Sequence, residues 1–222
     1  MNTFLKYAVI FFVGFLSIAE SVYSKEDGDN SRGSYFLLQT NYSLKSQPSA
    51  FRDEWKNGWG GAFGAETYIC EKWSGRFLAD MTFFGFDKIS AEEDLSNYGS
   101  VRFDISPLLF LSCELQASYS FFESNFTPFV MVGIGYMGVL GGDGYIYINN
   151  SQYYAPLIDN NAFILNSGFG VKYQNTDRYG FYLQTKVKYG LSFGDNYVTY
   201  PVSFGVTVPM NSGLGELLNV LF

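Results

Sequence analysis

The chain has 222 residues, enough for one all-β domain, and 20% of them are aromatic (23 Phe and 18 Tyr) against only 16% charged. A net charge of −7 with no basic stripe argues against a nucleic-acid partner. A mean hydropathy near zero excludes a helical membrane bundle. The first element is "MNTFLKYAVIFFVGFLSIAESVYS", residues 1–24. Lys6 precedes an apolar run, Tyr7–Ala19, and Val22 and Ser24 stand at −3 and −1 of a cleavage after Ser24. This is the form of a secretory signal peptide, since the run falls short of the about 20 apolar residues a spanning helix needs. No Cys lies at the cleavage site, so lipoprotein processing is not indicated. "KEDGDNSRG", residues 25–33, reads as a flexible lead.

From Ser34 the chain alternates with period 2 in segments of about ten residues or more, the pattern of an all-β sandwich or barrel. Eight such segments follow in order: Ser34–Leu44, Gly58–Cys70, Ser74–Phe86, Leu108–Phe122, Phe126–Leu140, Ala162–Gln174, Tyr179–Leu191 and Tyr197–Val208. Connections after the second, fourth and sixth are short. Those after the first, third and fifth are long: Lys45–Lys56, Asp87–Pro107 and Gly141–Asn161. Short turns at one end and long loops at the other mark an outer-membrane barrel, with both termini on the periplasmic side. Asn97–Ser106 also alternates. It either extends the fourth strand past Pro107 or forms a hairpin within the long loop. A ten-stranded version would need "GELLNVLF" as its last strand, so residues 210–222 are a tail or a final strand.

The faces separate cleanly. In the fourth segment Leu109, Leu111, Cys113, Leu115, Ala117, Tyr119 and Phe121 oppose Phe110, Ser112, Glu114, Gln116, Ser118 and Ser120. The segments are long for a sandwich, where about five or six residues is typical. Aromatics gather at their ends (Tyr42, Trp59, Tyr68, Trp73, Phe122, Tyr173, Tyr197), as in the girdles of membrane barrels. In "FVMVGIGYM" the glycines 133 and 135 fall on the inward face. An eight-stranded barrel is just wide enough for side chains to fill, and inward glycines make room for long ones.

"FTPFVMVGIGYM", preceded by "SYSFF", resembles a segment of small outer-membrane β-barrel proteins of the OmpA transmembrane-domain and OmpX/Ail-like kind. "GAFGAETYICEKWSGRFLADMTFFGF" is similar to their second hairpin. The resemblance runs from about Ser34 to Val208 and implies an eight-stranded antiparallel up-and-down transmembrane barrel. That family closes on a last strand with a terminal aromatic, whereas here "PMNSGLGELLNVLF" follows the eighth segment.

The expected lumen holds Glu66, Asp80 and Glu114 with Arg76, Lys172, Lys186 and Lys188, a polar network that must pair to be buried. It reads either as a polar plug or as a gated ion path. The chain contains no histidine, which removes Ser–His pairs, His–Asp bases and His-ligated metals, and no spacing points to catalysis, a metal or a cofactor. In the loop Gly141–Asn161, Tyr145, Tyr147, Tyr153 and Tyr154 stand among Asn, Ser, Gly and Asp, the composition of adaptable binding loops. They are either contacts or tyrosines packed on one another. Cys70 and Cys113, the only cysteines, read as two small apolar residues rather than a disulfide.

The expectation is therefore a monomeric, non-catalytic barrel, residues 34–209, exported to a bacterial outer membrane. It would contact lipid and lipopolysaccharide, with an adhesin-like role toward a host or envelope surface through its loops. The alternatives are a narrow pore and a soluble lipocalin-like barrel.

Overall fold

A computed structural model describes residues 33–95, 99–122, 124–149, 151–175, 179–192 and 196–210. The signal peptide expected over 1–24, nearly all of the lead and the tail beyond Met210 lie outside the described residues.

The strands are β1 (Ser34–Gln47), β2 (Gly58–Tyr68), β3 (Trp73–Phe84), β4 (Val101–Ile105), β5 (Leu108–Ser120), β6 (Phe126–Gly141), β7 (Gly144–Ile148), β8 (Ser151–Ala155), β9 (Ile158–Asn175), β10 (Tyr179–Ser192) and β11 (Tyr197–Pro209). Two short helices, α1 (Ser49–Glu54) and α2 (Lys88–Asp94), lie in the first and second long connections. Eight strands close into an antiparallel barrel in the order β1-β11-β10-β9-β6-β5-β3-β2. Each of the eight expected segments is one of these strands. Their lengths, 11 residues in β2 to 18 in β9, meet what a tilted membrane strand requires. Closure is completed by β1 against β11, from Tyr35↔Pro209 to Gln47↔Val198, with a bulge between Lys45 and Gln47.

Of the stretch Asn97–Ser106, residues 97 and 98 lie outside the described residues, and the remainder neither prolongs the fourth barrel strand nor makes its own hairpin. Its strand, β4, leaves the barrel and pairs with β7, which pairs with β8, in a separate three-stranded sheet. Five residues cannot be read locally as belonging to a partner about forty residues on, so the alternation was legible and the partner was not.

Period 2 sorts the side chains as anticipated. The wall exposes Phe63, Val132, Ile134, Phe163, Leu165, Phe169, Leu183, Val202 and Phe204, an apolar band that water would not tolerate over such a continuous surface. Among the described residues no helix is long and apolar enough to cross a membrane, so any crossing is made by strands. Inside, glycines make room for large neighbours. A Cβ on Gly170 would lie 2.7 Å from the Phe129 ring, and one on Gly205 would strike the Tyr182 ring.

Candidate functional site: a layered lumen and a tyrosine sheet

The lumen is built in layers from the turn end to the loop end. At the turn end Glu66 of β2 sits opposite Arg76 of β3, its direct cross-strand partner, and Lys172 reaches it from β9. The Lys172 ammonium donates to both Glu66 oxygens at 2.8 Å and to the Tyr68 hydroxyl at 3.0 Å. Ser74 Oγ donates to Glu66 Oε1 at 2.6 Å. Arg76 Nε lies 3.1 Å from Glu66 Oε1, yet its N–H makes no hydrogen bond there. The pairing is therefore one of charge at close range, and the directed bond of Arg76 goes from Nη1 to Gln184 Oε1 at 3.2 Å. The guanidinium stacks 4.5 Å from the Phe129 ring centroid, a cation–π contact in a dry setting.

Next comes an apolar belt of Leu37, Leu78, Phe129, Met131 and Tyr182. The Tyr182 hydroxyl donates to Gln39 Oε1 at 2.9 Å, and Gln184 donates to the same oxygen at 3.1 Å.

Above the belt lies the second ionic layer. Glu114 of β5 receives Lys186 and Lys188 of β10, each at 2.6 Å, and also Gln116, Asn166 and Ser112. Lys188 stands 3.6 Å from Asp80, whose oxygens accept from Asn41 at 2.7 Å and Thr82 at 3.0 Å. All seven candidate lumen charges thus face inward and are buried, in two groups rather than one network. Two acids meet two bases in the upper group, while one acid meets two bases in the lower. Burial of such charges is tolerable only with this density of partners.

The loop end is closed by an apolar cap that sequence reasoning missed. Inward Phe84, Leu108, Phe110, Met137, Val139, Ile164 and Tyr197 form its floor, and α1 lays Phe51 onto it. Phe51, 3% exposed, stacks on Phe110 (5.3 Å between centroids) and meets Phe84 edge-on at 4.9 Å. Backbone bonds Lys56 N to Gly85 O (2.7 Å) and Asp87 N to Glu54 O (2.8 Å) pin the loop above. The available signal was Phe51 and Trp55 at i, i+4 spacing in "SAFRDEW", one face of a single helical turn.

Outside the barrel, β4-β7-β8 has two unlike faces. Register places Arg102, Asp104, Tyr145, Tyr147, Gln152 and Tyr154 on one. Val101, Phe103, Ile105, Ile146, Ile148 and Tyr153 lie on the other. Tyr145 and Tyr154 are cross-strand partners with ring centroids 5.6 Å apart, and Tyr147 lies 6.4 Å from Tyr145. Tyr153 is separated from the other three by the sheet itself. Phe103, on the apolar face, packs on Phe86 at 5.2 Å, and Phe86 packs on Trp55 at 5.4 Å. The sheet therefore rests on the cap and turns its tyrosine face away from it. Ser106 donates from Oγ to Asp143 Oδ1 at 2.6 Å and ties the two loops at their base. Cys70, in the turn after β2, and Cys113, on the outer face of β5, are both free thiols. Among the described residues no group of three or more His, Cys, Asp or Glu side chains is arranged to hold a metal ion.

No protein-family model and no curated protein matches the chain. Several solved structures are similar to it, three of them as follows. Neisserial surface protein A is 16% identical with a TM-score of 0.54, over 82% of this chain and 99% of that one. Ail, the attachment invasion locus protein of Yersinia pestis, is 11% identical with a TM-score of 0.45, over 78% and 97%. The outer membrane protein OprG from Pseudomonas aeruginosa is 11% identical with a TM-score of 0.45, over 81% and 98%. At such identities the likeness, carried by the first, is one of fold: a small, closed, eight-stranded antiparallel β-barrel.

Proposed function

We propose that this chain is exported by its N-terminal signal peptide to a bacterial outer membrane and acts there as a non-catalytic surface-interaction barrel. In this reading the apolar wall meets lipid and lipopolysaccharide, and the barrel works as a monomer. The recognition surface is the tyrosine face of β4-β7-β8, turned to a host or envelope partner. The observation that carries the reading is this sheet. Two long loops spend their residues on ordered structure beyond the barrel, and Tyr145 and Tyr154 stay exposed on it. Tyrosine offers a large amphipathic contact at low entropic cost. A lumen filled by ion pairs and capped by Phe51 speaks against the pore, and the exposed apolar band speaks against a soluble barrel.

The test compares bacteria displaying the full chain with bacteria displaying a Tyr145→Ala/Tyr154→Ala variant, both checked for an SDS-resistant barrel. Adhesion to a panel of immobilised host glycoproteins and cultured cells is measured. Adhesion by the native chain, reduced about tenfold or more in the variant, is expected if the two rings are anchoring contacts. Unchanged adhesion, or none above cells lacking the protein, would sink the reading. Discrete conductance steps in planar bilayers that vanish in Lys186→Ala would put the pore in its place.

A further inference from the structure

The sheet β4-β7-β8 ends in a bare strand. Among the described residues β8 pairs with β7 alone, whereas β4, at the other edge, has α2 against it and Phe103 buried. Ser151, Gln152, Tyr153 and Tyr154 are all exposed. Two backbone bonds fix which way the main chain of β8 points. Asn149 N–H donates to Ser100 O at 2.7 Å and Ser106 N–H to Asp143 O at 2.9 Å, at the two ends of the β4–β7 ladder. Bonding residues alternate along an antiparallel pair. Tyr145 and Tyr147 therefore bond β4, and Gly144, Ile146 and Ile148 bond β8. Their partners across the hairpin are Ala155, Tyr153 and Ser151. Gln152 and Tyr154 are left with N–H and C=O pointing out of the sheet along its edge. Natural sheets blunt such an edge with a charge, a proline or a bulge. The β8 strand, "SQYYA", has neither charge nor proline, and its register with β7 is unbroken.

We infer that β8 receives an extended segment of a partner polypeptide as an added antiparallel strand; this rests on the surface-recognition reading and names the chemistry of its partner. An antiparallel partner makes a hydrogen-bonded pair with Gln152 and another with Tyr154, two main-chain bonds at each. Side chains select the segment. The hairpin β7–β8 carries no charged residue, so a charge on the added strand meets no counter-charge beside it. Gln152 and Tyr154 stand on the tyrosine face and Tyr153 on the other, so the added strand lays alternate side chains beside rings on both faces. The edge therefore fits an uncharged, proline-free stretch of about five residues, rich in β-branched or aromatic side chains. A glycan has no regular row of N–H and C=O groups to match it. Tyr145 and Tyr154 then grip the partner's side chains while the β8 edge holds its main chain.

The probe is a fluorescent peptide of alternating Thr and Val with a Lys at each end, added to the full chain refolded in lipid nanodiscs. Saturable binding is expected, with amide exchange over Ser151–Ala155 slowed several-fold and that of β5 and β10 unchanged. Gln152→Pro removes one outward N–H and leaves the bonds to β7 in place. It should weaken binding about tenfold or more. Should the proline disturb the hairpin, the same peptide N-methylated at alternate residues gives the answer on the native chain, to which it should not bind. No binding of the plain peptide, equal binding of the methylated one, or a Gln152→Pro chain that binds as before would overturn the added strand. So would protection of β8 in the chain alone that grows with its concentration, since a second copy then holds the edge. The adhesion assay separates this inference from the reading beneath it. Adhesion lost in Tyr145→Ala/Tyr154→Ala and kept in Gln152→Pro leaves the recognition reading standing and removes strand addition, with a ligand held by side chains alone, such as a glycan, in its place. No adhesion by the native chain sinks the recognition reading, whatever the peptide does.

Discussion

Five side chains converge on the Glu114 carboxylate, two of them lysines, at the centre of the upper ionic layer. Replacing it with Gln keeps the shape and leaves two buried ammonium groups facing one remaining acid, Asp80. Removing one partner of a buried pair costs about 3–5 kcal/mol. Glu114→Gln should therefore lower the urea midpoint for unfolding in lipid vesicles, followed by the fluorescence of Trp55, Trp59 and Trp73. Adding Lys186→Met should recover part of the loss, since one orphaned charge then goes. A midpoint unmoved in Glu114→Gln would mean that the layer is hydrated and not paired. By contrast the exposed Arg52–Asp53 pair should be silent, because water screens both charges. Which charges face the lumen was legible from period 2 alone. Which ones pair was not: Glu66 meets Lys172, 106 positions later, and that choice is made by barrel closure and strand stagger.

Among the elements, the long strands were the easiest to read, because each shows one apolar face over eleven residues or more. The short ones were hidden. α1 has six residues, too few for a period to show, and it holds its place through Phe51 rather than through helix propensity. β7 and β8 form a local hairpin, but β4 joins them across a different loop, a pairing that no window of sequence contains. Because α1 is held chiefly by one ring, Phe51→Ala should release it without opening the barrel. The loss of a buried Phe, about 3 kcal/mol, corresponds to roughly a hundredfold more local opening. Amide exchange over Ser49–Trp55 should speed up accordingly while that of β5 and β10 stays as it was. Exchange accelerated equally across the strands would show that the cap and the barrel unfold as one unit.

For the whole molecule, closure and filling are the decisive properties. A closed barrel with every strand paired should run as a compact, SDS-resistant band before boiling and as an extended one after. The same purified protein should give no conductance above background in planar bilayers. A band that does not shift, from protein recovered in the soluble fraction, would overturn the membrane reading. Closure also dictates how the chain must come into being. The seam joins Tyr35 to Pro209, so the first strand waits for the last. Until β11 arrives, β1 offers a bare edge and the lumen charges have only part of their company. Contacts between such distant stretches form slowly, because the intervening loop must be closed before any of them repays its entropy. A partly synthesised chain thus has no stable shorter version of itself to rest in. With the proposed membrane location it must be kept extended and escorted to the bilayer, and its folding is a single late event in which sealing, charge pairing and insertion coincide.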